Sequence, residues 1–230
     1  MKRSIQLLTG LVLLIVAGLF YTKYQLKSQY NSIDKTDPYY AFEQITNLNY
    51  SHLKVIGGNR SNLTVESGET NTVYIKKGMD ESISYEIKSD TLYIKYSESL
   101  TVETTNHQNY SNERGYSSVI IQSNSIQSIN GNNASIGVDL TNLPDFESKL
   151  YGSSILEIAT FSSSLQNLVI ASHDVSKIKL NSSGELSSLD YLKLELADQS
   201  IAELYNIEAD SIVFELDDHS RISGDANIFN

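Results

Sequence analysis

Apolar and polar residues alternate with period two along much of the C-terminal half of the chain. The clearest run surrounds the second serine of "LYGSSILEI". Phe146, Ser148, Leu150, Gly152, Ser154 and Leu156 fall on one side of it, two residues apart. Three further runs repeat the spacing. They are Leu168, Ile170, Ser172, Asp174, Ser176, Ile178; then Leu192, Leu194, Leu196, Asp198, Ser200, Ala202; then Ile212, Phe214, Leu216, Asp218, Ser220, Ile222. With Φ for apolar, the consensus is Φ-x-Φ-x-Φ-x-[G/D]-x-S-x-Φ, and only Ser148 and Ser172 are polar at a Φ position. A weaker copy, "VIIQSNS", places Val119 and Ile121 ahead of Ser125. Period-two alternation predicts half-buried strands. The repeat of 20–24 residues predicts an array of them, too short for a propeller blade and lacking a leucine-rich frame. One coil of a parallel β-solenoid fits both periods.

The G/D-x-S step then reads as the corner where the strand bends from one face of a coil to the next. Glycine accepts positive φ, and Asp and Ser side chains bond nearby backbone and tolerate tight turns. The corner residues are Gly152 with Ser154, Asp174 with Ser176, Asp198 with Ser200, and Asp218 with Ser220. Stacking at about 4.8 Å predicts a ladder of the four serine hydroxyls. Leu150, Ile170, Leu194, Leu196, Phe214 and Leu216 are expected in the core.

Upstream, "LKVIG", "NLTVES", "TVYIKK", "ISYEIKS" and "TLYIKY" alternate between turns at Gly57-Gly58, Gly68 and Gly78. They predict first coils or a hairpin cap. Residues 103–118 lack this pattern and read as a protruding loop. At the N-terminus a basic start precedes an apolar run from Ile5 to Phe20, extended by Tyr21 and Tyr24. Its length and interfacial tyrosines predict a transmembrane signal anchor over 1–22. Cleavage after Gly18, with Val16 at the minus-three position, is the competing reading. Basic residues flank the run on both sides, so charge does not orient it. Residues 23–45 read as a polar tether, and 46–230 as the solenoid.

At the corner motif and the opening strands, the chain resembles the auto-transporter adhesin head, or GIN domain, family of Bacteroidetes-type bacteria. "LNYSHLKVIGGNRSNLTVESGETNTVYIKKG" and the "DTLYI" strand are similar to that family's opening strands, and the corners are similar to its GSG repeats. The resemblance spans roughly Asn47 to Ile222. Here only Gly152 keeps the glycine, and Asp174, Asp198 and Asp218 replace it elsewhere. The resemblance implies a single-stranded right-handed parallel β-helix and an adhesive role, with no catalytic residues to carry over.

Composition narrows the chemistry. The 230 residues include no cysteine, so disulfides and Cys-based metal sites are excluded. Net charge is −11, although residues 1–28 carry Lys2, Arg3, Lys23 and Lys27 and no acid. An acidic body argues against nucleic acid as partner. No G-x-S-x-G, Walker A or G-x-G-x-x-G motif occurs. If Asp174, Asp198 and Asp218 stack, they form a carboxylate column of the kind that cleaves polysaccharides or binds Ca²⁺; the simpler reading is that each caps its own corner. His52, His107, His173 and His219 lack metal-ligand spacing. Tyr74, Tyr85, Tyr93, Tyr96, Tyr110 and Tyr116 would offer contact area if exposed.

The expectation is an exported, membrane-anchored, all-β binding or adhesion module. It has no catalytic, cofactor or metal residues and no cofactor, and takes an unknown protein or glycan as partner. A polysaccharide-active β-helix enzyme and a structural or sensory envelope domain are the alternatives.

Overall fold

The computed structural model describes residues 2–34, 36–46, 48–101, 117–139, 145–160, 165–181 and 187–225. His107, Tyr110, Tyr116 and nearly all of the expected protruding loop lie outside them. The chain divides into two compact units, 1–41 and 42–230.

The first unit is built on one helix, α1 (Lys2–Ser32). Its stretch Leu8–Asn31 is 24 residues long with mean hydropathy 1.4. At 1.5 Å per residue this is about 36 Å, which exceeds the ~30 Å hydrocarbon core of a bilayer. The helix continues ten residues past the expected anchor. Lys23, Gln25, Leu26, Lys27 and Gln29 are straight-chain helix formers, and no glycine or proline intervenes before Pro38. A tether over 23–45 is therefore corrected at both ends, since a strand already begins at Phe42. In between, Asp34 and Asp37 make Asx turns, accepting from the backbone N–H of Thr36 (2.9 Å) and Tyr39 (2.8 Å).

The second unit is mostly β. Its strands are β1 (Phe42–Ile45), β2 (His52–Ile56), β3 (Asn62–Ser67), β4 (Thr72–Lys76), β5 (Ile83–Lys88), β6 (Thr91–Tyr96) and β7 (Val119–Ser123), and then β8 (Ser128–Asn132), β9 (Ser135–Asp139), β10 (Asp145–Tyr151), β11 (Ile155–Thr160) and β12 (Asn167–Ser172). The last five are β13 (Lys177–Asn181), β14 (Ser187–Leu196), β15 (Ile201–Tyr205), β16 (Ile207–Leu216) and β17 (Arg221–Gly224). They form two mixed sheets. One runs β1-β4-β7-β3-β9-β11-β13-β15-β17, the other β16-β14-β12-β10-β8-β2-β6-β5. Beyond β8 the chain alternates between the sheets. Every pairing there is parallel.

The parallel registers align the sequence repeat. Phe146, Leu168, Leu192 and Ile212 share one column; Ser148, Ile170, Leu194 and Phe214 the next; Leu150, Ser172, Leu196 and Leu216 the third. On the other sheet Leu156, Ile178, Ala202 and Ile222 align. Strand geometry sends alternate side chains to one face, and the columns bury that face. The two polar exceptions are buried with partners: Ser148 Oγ donates to Ile129 O (2.9 Å) and Ser172 Oγ to Ser200 Oγ (3.2 Å). Burial fails only on the last strand of each sheet, where Ile222 on β17 is also half-buried. Leu216 is 47% exposed and Phe214 half-buried, because among the described residues no strand follows β16 in its sheet.

One expectation is corrected upstream and another is made more specific. The weak copy at Val119 and Ile121 is β7, in the nine-stranded sheet, whereas the first strands of the strong copies occupy the other. The true counterpart is β8, whose Gly131 pairs with Leu150. A Cβ on Gly131 would lie 3.2 Å from a Leu150 methyl carbon; the glycine that makes room also erases the apolar signal. Second, the upstream strands, expected as first coils or a hairpin cap, supply both parallel rungs and antiparallel pairs, and they do not stack in chain order. The β2–β3 rung lies between β6–β7 and β8–β9. Antiparallel pairings β1–β4, β4–β7 and β5–β6 accompany it.

Candidate functional site

At the corners, Gly152, Asp174 and Asp198 all adopt the left-handed backbone conformation, with φ of 64°, 60° and 63°. Glycine visits it freely, and Asp more readily than most residues. Their neighbours Ser154, Ser176 and Ser200 are fully buried. The backbone ladder passes through them, with Lys177 N donating to Ser154 O and Ile201 N to Ser176 O (2.8 and 3.0 Å). The hydroxyls do not bond one another in a column. Ser154 Oγ donates to Tyr151 O (2.6 Å) and Ser176 Oγ to Gly152 O (3.0 Å). Ser200 Oγ instead accepts from Ser172 Oγ (3.2 Å), and Ser220 Oγ donates to Asp217 Oδ1 (2.7 Å).

The aspartates form a different ladder. Asp174 Oδ2 accepts the N–H of Gly152 (2.8 Å), and Asp198 Oδ2 accepts the N–H of Asp174 (3.1 Å). Each carboxylate therefore ties its corner to the preceding one, rather than capping only its own. In the last rung Asp217 takes this place, accepting from Asp198 N, while Asp218 lacks the positive φ. Asp217 Oδ1 also accepts from Ser220 Oγ and from the backbone N–H of His219 and Ser220. The Ser220 hydroxyl, with those amides, holds its carboxyl below the usual range. A second corner repeats the device: Asn206, at φ 56°, donates its N–H to Asp225 Oδ2 (2.8 Å). Among the described residues no three His, Asp or Glu side chains gather to hold a metal ion.

The histidines separate. His173 stacks on Tyr151, ring centroids 5.1 Å apart and 4° from parallel. His219 sits at the last corner. His52 donates to or accepts from Ser128 Oγ through Nδ1 (2.9 Å). The tyrosines also divide. Tyr74 and Tyr96 are buried, so they are core rather than contact surface. Tyr85 is 43% exposed, and Tyr93 is half-buried under the ammonium groups of Lys54 and Lys88, each 5.7 Å away.

Sequence reasoning missed a groove of about 810 Å³ on the outer side of the eight-stranded sheet. Four adjacent strands, β2, β8, β10 and β12, supply it. Their registers set His52, Ser128, Glu147 and Val169 in one outward row, with Asp145 beside Asn167 in the next. Asn167 Nδ2 donates to Asp145 Oδ1 (2.6 Å). The segment 124–127 closes one end, with Asn124 and Gln127 exposed over buried Ile126. Glu147 also pairs with Lys149 at 3.1 Å. The only sequence hint was a histidine at a strand start; the rest depends on which strands become neighbours.

No family model matches the chain, and no curated protein matches it. Solved structures do. A "putative adhesin" from Parabacteroides merdae is 8% identical, with TM-score 0.43 over 80% of this chain and 95% of that one. A "putative lipid binding protein" from Parabacteroides distasonis is 12% identical, with TM-score 0.38 over 80% and 96%. A "putative cell adhesion protein" from Clostridium sporogenes is 14% identical, with TM-score 0.33 over 80% and 98%.

Proposed function

We propose that this protein is a non-enzymatic binding or adhesion module of the cell envelope, exported and held by its N-terminal helix. Its body is a right-handed parallel β-solenoid, the hand expected of parallel strand crossovers. The observation that carries the reading is the continuous parallel pairing from β8 to β17, with one register shift, between Ile158 and Thr160 where β11 meets β9. It repeats outward side chains at a fixed interval on a stiff support, so a partner meets preorganised contacts and little ordering entropy is lost on binding. The 24-residue apolar stretch of α1 supports the anchor. The aspartate column supports rigidity rather than catalysis, because its carboxylates are committed to backbone amides.

Two measurements test this on the full-length protein. After carbonate washing it should stay in the membrane fraction; recovery of a mature chain beginning near Leu19 removes the anchor. In detergent it should capture envelope fragments without releasing reducing sugar from polysaccharides. Cleavage of a polysaccharide overturns the non-enzymatic reading.

A further inference from the structure

We infer that the groove over β2, β8, β10 and β12 is a binding site for a neutral, hydroxyl-rich ligand, an uncharged oligosaccharide. This rests on the binding reading above and specifies where binding occurs and what is bound.

Three observations converge. The first is the donor and acceptor inventory. A sugar hydroxyl both donates and accepts, so its site must offer both. Asn124, Gln127 and Asn167 carry amides that do so, Asp145 and Glu147 carry acceptors, and Ser128 carries a hydroxyl. The Asn167 to Asp145 bond uses one amide hydrogen and one carboxylate oxygen, leaving Asn167 Oδ1 and Asp145 Oδ2 for a ligand. His52 is held through Nδ1 by Ser128, which fixes the ring and leaves Nε2.

The second is charge. Among the described lining residues there are two carboxylates and no lysine or arginine. Glu147 is balanced by Lys149 just outside the lining, so the lining itself offers no cation to neutralise phosphate, sulfate or uronate groups, and the Asp145 carboxylate disfavours them. The third is an extended row that ends on an apolar element. Val169 continues the row His52–Ser128–Glu147 and offers a surface for the C–H face of a sugar ring. Four strands at about 4.8 Å give roughly 14 Å across the rows. That length suits several linked sugar units lying across the strands. Polar groups placed over an apolar patch are what fix orientation in small-molecule sites.

The test is an array of neutral oligosaccharides, uronic-acid oligosaccharides and a lysine-rich peptide, probed with full-length protein in detergent. Asn167→Ala and Val169→Lys are compared with the native chain. Both positions face outward, and unchanged thermal midpoints would verify their folding. Neutral oligosaccharides should be retained, and each variant should weaken that binding at least tenfold. Retention of none, a preference for uronates or the peptide, or native affinity in both folded variants would overturn the inference. Capture of envelope fragments that survives both variants would exclude the groove while leaving the adhesion reading intact. Loss of all envelope capture by the native protein would remove that reading itself.

Discussion

A charge placed at Leu196 should unfold most of the stacked strands of the second unit, whereas an apolar residue at Glu195 should hardly be noticed. Leu196 is 2% exposed and lies in register between Ser172 and Leu216. Leu196→Asp removes a buried side chain, a loss of about 2–5 kcal/mol in large-to-small series. It also leaves a carboxylate without a cationic partner in the core, which costs several kcal/mol more whether it ionises or takes up a proton. Together these approach the roughly 5–15 kcal/mol stability of a typical domain. Each rung of a stacked array is held by its neighbours, so an interior lesion weakens two interfaces. Glu195 points outward and pairs with Lys193 at 2.6 Å. Lys193 keeps a second partner, Glu215, at 3.0 Å. Surface pairs of this kind contribute about 0–1 kcal/mol, so Glu195→Leu should change stability by less than about 1 kcal/mol. Leu216→Asp is the internal control: it shares the column but is 47% exposed on the last strand, so its cost should fall well below that at Leu196. Chemical unfolding of the three full-length variants, followed by far-UV circular dichroism, decides it. If Glu195→Leu were more damaging than Leu196→Asp, the inward and outward faces would be exchanged, and every aligned column would be misassigned.

The corners yield three further expectations. Asp198→Asn should be tolerated within about 0.5 kcal/mol, because Asn also accepts positive φ and keeps an oxygen for the Asp174 amide; Asp198→Ala should cost about 1–2 kcal/mol, and added Ca²⁺ should leave the melting temperature of the native protein unchanged. Gly152→Ala should destabilise by about 1–2 kcal/mol, since its Cβ would lie 2.5 Å from Asn133 Oδ1 at a φ of 64°, and Asn133→Ala in the same chain should recover only the contact part of that loss. Asp217 has a depressed pKa in the folded protein, so its contribution is present above its ordinary value of 3.8 and is lost as pH falls through the lower folded value. The protection of the His219 and Ser220 amides, measured against the intrinsic exchange rate at each pH, should fall in that acid range, and Asp217→Asn should remove that fall; native protection that is flat across the range would show the carboxylate is not the cap.

The columns from Phe146 to Ile222 were legible because strand geometry makes the buried face a local property. Two residues advance the chain by one full alternation, and the repeat of 20–24 residues brings the same face back in register. The left-handed corners at Gly152, Asp174 and Asp198 were legible for the same reason: residue type limits local φ. Ser148 and Ser172 read as blemishes because their partners, Ile129 O and Ser200 Oγ, come from neighbouring rungs. Other features depended wholly on which strands lie side by side. Any strand edge offers the same N–H and C=O groups, so alternation cannot say that β2 enters between β8 and β6. Nor can it say that the Asp174 carboxylate reaches the Gly152 amide of the preceding rung, or that Asp217 replaces Asp218 in the last. The groove is the extreme case. His52, Ser128, Glu147 and Val169 are scattered through more than a hundred residues of sequence. They share a row only because three parallel registers, all non-local, bring them there.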